Sequence, residues 1–102
     1  MADKSYRGDR TIDGAEVTVD GRLIDPRYDL KAFDSRGMEW SYEGNGPRQL
    51  ALAILADHYQ DDMRALADTE GFMTRIVANF GNEWAMTSAD IDRALNNIKT
   101  EA

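Results

Sequence analysis

The segment best suited to bind a ligand is the turn Gly44-Asn45-Gly46-Pro47-Arg48, which opens a nearly all-apolar stretch from Leu50 to Ala56. Glycines let a backbone approach a ligand closely, a helix N-terminus favours a negative group, and Arg48 can pair with that group. The lysine and the Ser/Thr that complete a phosphate loop are absent, and Pro47 removes one N–H donor. A tight strand-to-helix connection that needs glycine for its geometry explains the same residues, and we favour that interpretation.

A second group of residues predicts an acidic surface around the second helix of the chain. Trp84 is added to it as a large side chain that we expect to be partly exposed. Carboxylates attract basic proteins because complementary fields speed the encounter. The candidate protein-binding residues are Asp57, Asp61, Asp62, Asp68, Glu70 and Trp84. The competing explanation is that negative charge keeps a small protein soluble.

Residue types that carry catalysis or bind metals are sparse. His58 is the only histidine, and the acids around it lack the spacing of a multi-ligand metal site. We interpret it as a helix-end histidine beside solvent-facing acids. Cysteine is absent and no serine lies in a Gly-x-Ser-x-Gly elbow. We therefore predict no catalytic residues, no bound metal and no cofactor.

Composition limits the broad class of the protein. The 102 residues are 42% hydrophobic and carry a net charge of −7, which suits one domain over residues 1–102. The acids are spread along the chain, which disfavours direct nucleic-acid binding. The longest apolar run, residues 50–56, is too short to span a membrane. We expect a cytoplasmic protein that does not bind membranes, and self-association into a homodimer stays open.

The N-terminal half predicts a three- or four-stranded antiparallel sheet. Ala15 to Val19 alternate as a half-buried strand does, Asp20-Gly21 suits a tight turn, and residues 22–24 return as its partner. Residues 5–7 predict an earlier short strand that Gly8 ends. Met38, Trp40 and Tyr42 alternate with polar residues and predict another strand, with Trp40 in the core.

The C-terminal half predicts three helices packed on that sheet, which makes the fold class α+β. Pro47 suits the first position of a helix that is apolar all round over residues 50–55 and must be buried. A second helix is expected from about Asp61 to Phe80, with Met63 in its buried stripe and Gly81-Asn82 as its cap. Residues 84–86 predict a short extended piece, and Thr87 with Asp90 predicts the capping box of a last helix.

Nearly the whole chain resembles a small family of unknown function. The resemblance rests on Tyr6-Arg7-Gly8, the hairpin of residues 17–22, the run from Glu39 to Leu55, and Trp84-Ala85-Met86-Thr87. Members of that family are carried by bacterial phages, plasmids and integrated elements. The family has no established catalytic residues, so the resemblance implies none here. It implies an accessory protein of a mobile element that acts inside a bacterial cell.

Two hypotheses for function follow. The first is a non-catalytic protein that binds and inhibits a host protein or nucleoprotein complex with a basic surface, for instance an anti-CRISPR or other anti-defence inhibitor. The second is a small-ligand protein that binds or sequesters a phosphate or nucleotide at Gly44, Asn45, Gly46 and Arg48.

Overall fold

A computed structural model describes residues 3–101. Its elements, in chain order, are strands β1 (Ser5–Thr11), β2 (Gly14–Val19) and β3 (Arg22–Leu23), helices α1 (Asn45–Tyr59) and α2 (Asp62–Arg75), a 3₁₀ helix (Val77–Asn79), strand β4 (Trp84–Thr87) and helix α3 (Ser88–Glu101). The predicted α+β class, with a four-stranded antiparallel sheet and three helices, is confirmed.

The sheet joins the two ends of the chain. Its strand order is β3-β2-β1-β4, and every neighbouring pair is antiparallel. The hairpin between β2 and β3 matches the prediction. The extended piece at residues 84–87 is the fourth strand and lies beside β1, so the C-terminal half supplies one edge of the sheet.

Gly8 lies inside β1 and does not end it, which corrects the sequence interpretation. β1 continues to Thr11, and Gly8 pairs with Val17 on one side and with Trp84 on the other. A Cβ atom at Gly8 would lie 2.1 Å from Nε1 of Trp84. Glycine is therefore needed because the Trp84 indole covers the strand at this point, which sequence spacing did not reveal.

Helix α1 is enclosed as predicted. Every residue from Leu50 to Leu55 is fully buried, in one core with the inward side chains of the sheet and of α2. An apolar helix enclosed on several sides gains its stability from burial rather than from one hydrophobic stripe. Pro47 is the third residue of α1 rather than the first, and its missing N–H still falls in the turn that has no intrahelical acceptor.

The strand predicted around residues 38–43 is wrong. Ser41 has a φ of 81°, and its backbone N–H donates to Val77 O at 3.2 Å instead of to a neighbouring strand. The N–H of Glu39 donates to Gly46 O, also at 3.2 Å. Trp40 is buried as expected, but Tyr42 is half exposed. The alternation therefore reflects one buried tryptophan in an irregular segment.

Helix α2 is shorter than predicted. It ends at Arg75, and the 3₁₀ helix replaces its expected last turn. The carbonyl of Val77 accepts from Ser41 N, and the carbonyl of Phe80 accepts from Ser41 Oγ at 2.6 Å. The irregular segment thus occupies carbonyls at the expected helix end. Met63 was predicted to be buried and is 77% exposed.

Candidate binding surfaces

The glycine turn has a packing role. Gly44 is the N-cap of α1 with an extended φ of 170°. A Cβ atom there would lie 2.8 Å from the Tyr42 ring, and one at Gly46 would lie 2.9 Å from Cβ of Glu39. A side chain at Gly46 would have to displace Cβ of Glu39, next to the backbone, whereas one at Gly44 would displace only the half-exposed Tyr42 ring. The geometric interpretation of the turn accounts for both glycines.

Arg48 is held by groups of its own chain. Its Nε and Nη2 donate to the two carboxylate oxygens of Glu70 at 2.7 and 3.1 Å, and its Nη1 donates to Asn45 Oδ1 at 3.0 Å. The arginine lowers the pKa of the Glu70 carboxyl, chiefly through this hydrogen bonding. Arg48, a candidate of the small-ligand hypothesis, is thus paired with Glu70, a candidate of the protein-binding hypothesis. A phosphate at the turn would compete with Glu70 for the guanidinium.

The other four predicted acids also have partners within the chain. Asp57 accepts from Lys4 Nζ at 3.0 Å and from the Tyr6 hydroxyl at 2.6 Å. Asp62 pairs with Arg27 at 3.3 Å. Asp61 is the N-cap of α2 and accepts from Arg64 N. Asp68 accepts from the Tyr59 hydroxyl.

These partners have a shared consequence for the tyrosines and for the surface. Burial, and then the hydrogen bond to a carboxylate, raises the pKa of both Tyr6 and Tyr59 above the ordinary value. Asp57, Asp62 and Glu70 are paired with cations of the same chain, whereas Asp61 and Asp68 accept from uncharged donors. The assignment of these acids to a partner surface stays a prediction.

Trp84 belongs to the core, so the expected partial exposure is wrong. It is 8% exposed, its ring stacks on Phe80 with centroids 4.3 Å apart, and it meets the Trp40 ring edge-on at 5.9 Å. Trp84 lies in β4 directly opposite Gly8 of β1, and its indole lies on the side of the sheet that faces the helices. It could anchor a partner only if the core opened.

The face of the sheet away from the helices is open to solvent. Inward residues such as Tyr6 and Val17 are buried, while Arg7 and Glu16 on the alternate positions are exposed. Leu23, which pairs with Thr18 on this face, is 73% exposed. One side of the sheet is therefore available to a partner.

Unpaired acids lie together at the end of the sheet where β1 turns into β2. Asp9 pairs directly with Glu16 in the ladder, Asp13 lies in the connecting turn, and Glu83 directly precedes Trp84, the ladder partner of Gly8. Within residues 3–101 none of these four carboxylates makes a hydrogen bond or ion pair. Ile12, at the tip, is fully exposed. We call Asp9, Ile12, Asp13, Glu16 and Glu83 the hairpin surface.

The hairpin surface was not among the sequence candidates. The available signal was Asp13-Gly14, a turn pair between two strands, which predicts that Ile12 projects from a hairpin tip. Gly14 has a φ of 116°, as such a turn requires. Arg10, the nearest cation on β1, reaches to Glu39 at 3.1 Å and lies over the Trp40 ring. It therefore balances a different carboxylate and leaves the four unpaired.

His58 lies near the end of α1, as predicted. Its ring is 10% exposed, and its Nε2 is 2.7 Å from Asp92 Oδ1 of α3. The acids next to it in sequence are not its partners. Among the described residues, no group of three or more acidic or histidine side chains is arranged to hold a metal ion.

The family model matches residues 6–97, which include all the elements above except the first residue of β1 and the end of α3. The chain belongs to DUF6166, a family of unknown function. No curated protein and no solved structure matches the chain. The hairpin surface and the glycine turn both lie within the DUF6166 match. None of the helices in residues 3–101 of this DUF6166 chain has the length and apolar character needed to cross a membrane.

Proposed function

We propose that this DUF6166 protein is a non-catalytic accessory protein of phages or other mobile elements, acting in the bacterial cytoplasm. It binds and inhibits a host protein or nucleoprotein complex with a basic surface, for instance as an anti-CRISPR or other anti-defence inhibitor. The observation that carries the proposal is the hairpin surface, where four unpaired carboxylates and an exposed isoleucine lie at the same end of the sheet. We place the contact on carboxylates with no hydrogen bond or ion pair in residues 3–101, because the α2 acids all have partners within the chain.

The hairpin surface combines the two properties that a protein interface needs. Ile12 is a fully exposed β-branched side chain, and burying it against a partner stabilises a complex by about 1.5–3 kcal/mol. The surrounding carboxylates attract a positive partner and fix its orientation more than they add affinity. Six ladder pairs between β1 and β2 hold the hairpin, so binding requires little ordering of the chain.

The charge of the whole molecule supports the same class of partner. The net charge is −7, and a field of this sign favours basic proteins over nucleic acids. Surfaces that handle nucleic acid carry clustered lysines and arginines, which is why we propose a nucleic-acid-handling host complex. The small-ligand hypothesis at Gly44–Arg48 has weaker support because Glu70 already holds the guanidinium of Arg48.

The experiment compares two exposed glutamates that make no ion pair in the described chain, Glu16 on the hairpin surface and Glu43 before α1. Tagged wild-type protein, Ile12→Ser/Glu16→Lys and the control Glu43→Lys are used to capture proteins from a bacterial lysate, with quantification by mass spectrometry. A host complex retained by wild type and by Glu43→Lys but lost from the hairpin variant is expected.

Affinity for the captured complex, once purified, is then measured as a function of salt. We expect the hairpin variant to bind at least about tenfold more weakly, with a shallower salt dependence. Equal affinity of wild type and the hairpin variant would reject the hairpin surface. In that case, loss of binding in Asp61→Lys/Asp62→Lys would return the contact to the α2 acids. A captured partner with no basic surface would contradict the electrostatic argument itself.

A further inference from the structure

A groove between α2 and α3 concentrates positive charge on this acidic protein. Residues 47–102 contain five lysines and arginines, and three of them line this one groove. The groove has a volume of about 530 Å³, and the side chains that matter for its chemistry are Tyr59, Arg64, Asp92, Arg93, Asn96 and Lys99. Cations gathered in this way, away from the hairpin surface, need a separate explanation.

Two of the three cations have no ionic partner in the part of the chain that the structure describes. Arg64 and Lys99 make no ion pair there, whereas Arg93 is bonded to Asp90. The Arg64 guanidinium lies 4.2 Å from the centroid of the Tyr59 ring, and the Tyr59 hydroxyl is fixed by Asp68 at 2.6 Å. Arg64 is therefore positioned beside the Tyr59 ring, and no carboxylate in the described residues forms an ion pair with its charge.

Helix electrostatics explains only part of this arrangement. Lys99 lies in the last turn of α3, where a cation interacts favourably with the helix dipole. Arg64 is the third residue of α2, and a cation in a first turn interacts unfavourably with that dipole. The dipole of α2 thus does not itself favour a cation at this position. A ligand of negative charge would offset the repulsion.

Asp92 is the one carboxylate among the residues that line the groove. It is 2.7 Å from Nε2 of His58, so it is oriented toward the imidazole at one side. Arg64 and Lys99 are therefore the two cations of the groove that no carboxylate pairs with in the described residues, since Arg93 is bonded to Asp90.

We propose that this groove binds a small molecule carrying two or more phosphate groups. Guanidinium groups suit phosphate oxygens because their planar N–H donors match them in pairs, and a lysine adds a point charge. A volume of about 530 Å³ lies within the range of small-molecule sites. More than one phosphate is inferred because two cations without an ion pair, Arg64 of α2 and Lys99 of α3, line the space from different helices. The site is separate from the hairpin surface and from the glycine turn.

The test is a titration of the whole chain with inorganic triphosphate, and in parallel with ATP, followed by amide NMR shifts and calorimetry at low salt. Saturable binding is expected, with the largest shifts near Arg64 and along residues 92–99. Arg64→Gln and Lys99→Gln should each weaken binding about tenfold, because each removes a charge-assisted contact. Asp92→Asn should tighten binding, since it removes the opposing charge.

The matched control is Arg22→Gln, which removes an exposed cation of β3 that makes no ion pair in the described residues. Its affinity should equal that of wild type, and thermal unfolding establishes that all variants are folded. Equal affinity for triphosphate and ATP would support recognition of the phosphate chain alone, and tighter ATP binding would add a contact to the nucleoside. No saturable binding, or equal weakening by Arg22→Gln and Arg64→Gln, would overturn the proposal.

Discussion

At the scale of single residues, Gln49 is a buried polar side chain with four hydrogen bonds, whereas the buried Thr69 makes one. Gln49 is fully buried, its Oε1 accepts from Phe33 N at 2.7 Å and Asp34 N at 3.3 Å, and its Nε2 donates to Pro26 O and Lys31 O at 2.7 and 3.0 Å. One amide thus fixes residues 26–34, which follow β3, onto α1. A buried polar group is tolerated because its hydrogen bonds are all made.

We expect Gln49→Met to lower the free energy of unfolding by about 2–4 kcal/mol. Methionine keeps a similar length, but several buried backbone groups lose their partner. Urea unfolding measures the change. The control is Gln60→Met at the exposed end of the same helix, which loses one hydrogen bond to Asp57 O and should cost less than about 1 kcal/mol. Equal losses in the two variants would contradict the role given to Gln49.

At the scale of elements, the start of α3 confirms the predicted capping box. Asp90 N donates to Thr87 Oγ1 at 3.1 Å, and Thr87 N donates to Asp90 Oδ2 at 3.0 Å. The bond from the Thr87 backbone, followed by those from the Thr87 and Arg93 side chains, lowers the pKa of the Asp90 carboxyl below its usual value of 3.8. The ionised carboxylate is thus favoured in the folded state.

We expect the stability difference between wild type and Asp90→Asn to depend on pH. A lowered folded pKa contributes stability above the unfolded value, and that stability is lost as pH falls through the folded pKa. The free energy of unfolding of wild type should therefore exceed that of Asp90→Asn most above about pH 5. The difference between the two free energies should narrow toward about pH 2–3. Urea unfolding across this range measures it. A difference that stays constant with pH would show that the Asp90 charge does not contribute.

At the scale of the whole molecule, β4 makes the two halves of the chain one structural unit. Trp84 of β4 covers Gly8 of β1 and packs on Trp40 and Phe80. Strand β1 therefore cannot separate from β4 without opening the core around α1. Contacts that span the sequence in this way favour a single cooperative transition.

We expect unfolding followed by tryptophan fluorescence and by far-ultraviolet circular dichroism to give one coincident transition. The fluorescence reports on Trp40 and Trp84, which pack against each other between the sheet and the helices. The dichroism reports chiefly on the three helices. Gly8→Ala should shift both transitions together to lower denaturant concentration, because the added Cβ would overlap the Trp84 indole. Separate transitions by the two probes would indicate that the sheet and the helices unfold independently.

Local patterns were sufficient for several elements. The hairpin at Asp20-Gly21, the buried helix at residues 50–56 and the capping box at Thr87 each depend on residues close together in the sequence. The strand predicted at residues 38–43 failed because Ser41 donates its hydrogen bonds to Val77 and Phe80, which are far away in the chain. Gly8 was misinterpreted for the same reason, since the group that needs its missing side chain is Trp84.

The sequence by itself determined the α+β class, the enclosed helix and the excess of negative charge, because these follow from residue type and short-range periodicity. Only the tertiary structure decided which charges are free. Arg48 meets Glu70 across 22 positions, and Arg27 meets Asp62 across 35. Ionic pairing depends on distances of a few ångströms between distant segments, so the same acids that suggested a partner surface turned out to be bonded within the fold. Four carboxylates with no partner in the described residues lie together on the hairpin surface instead.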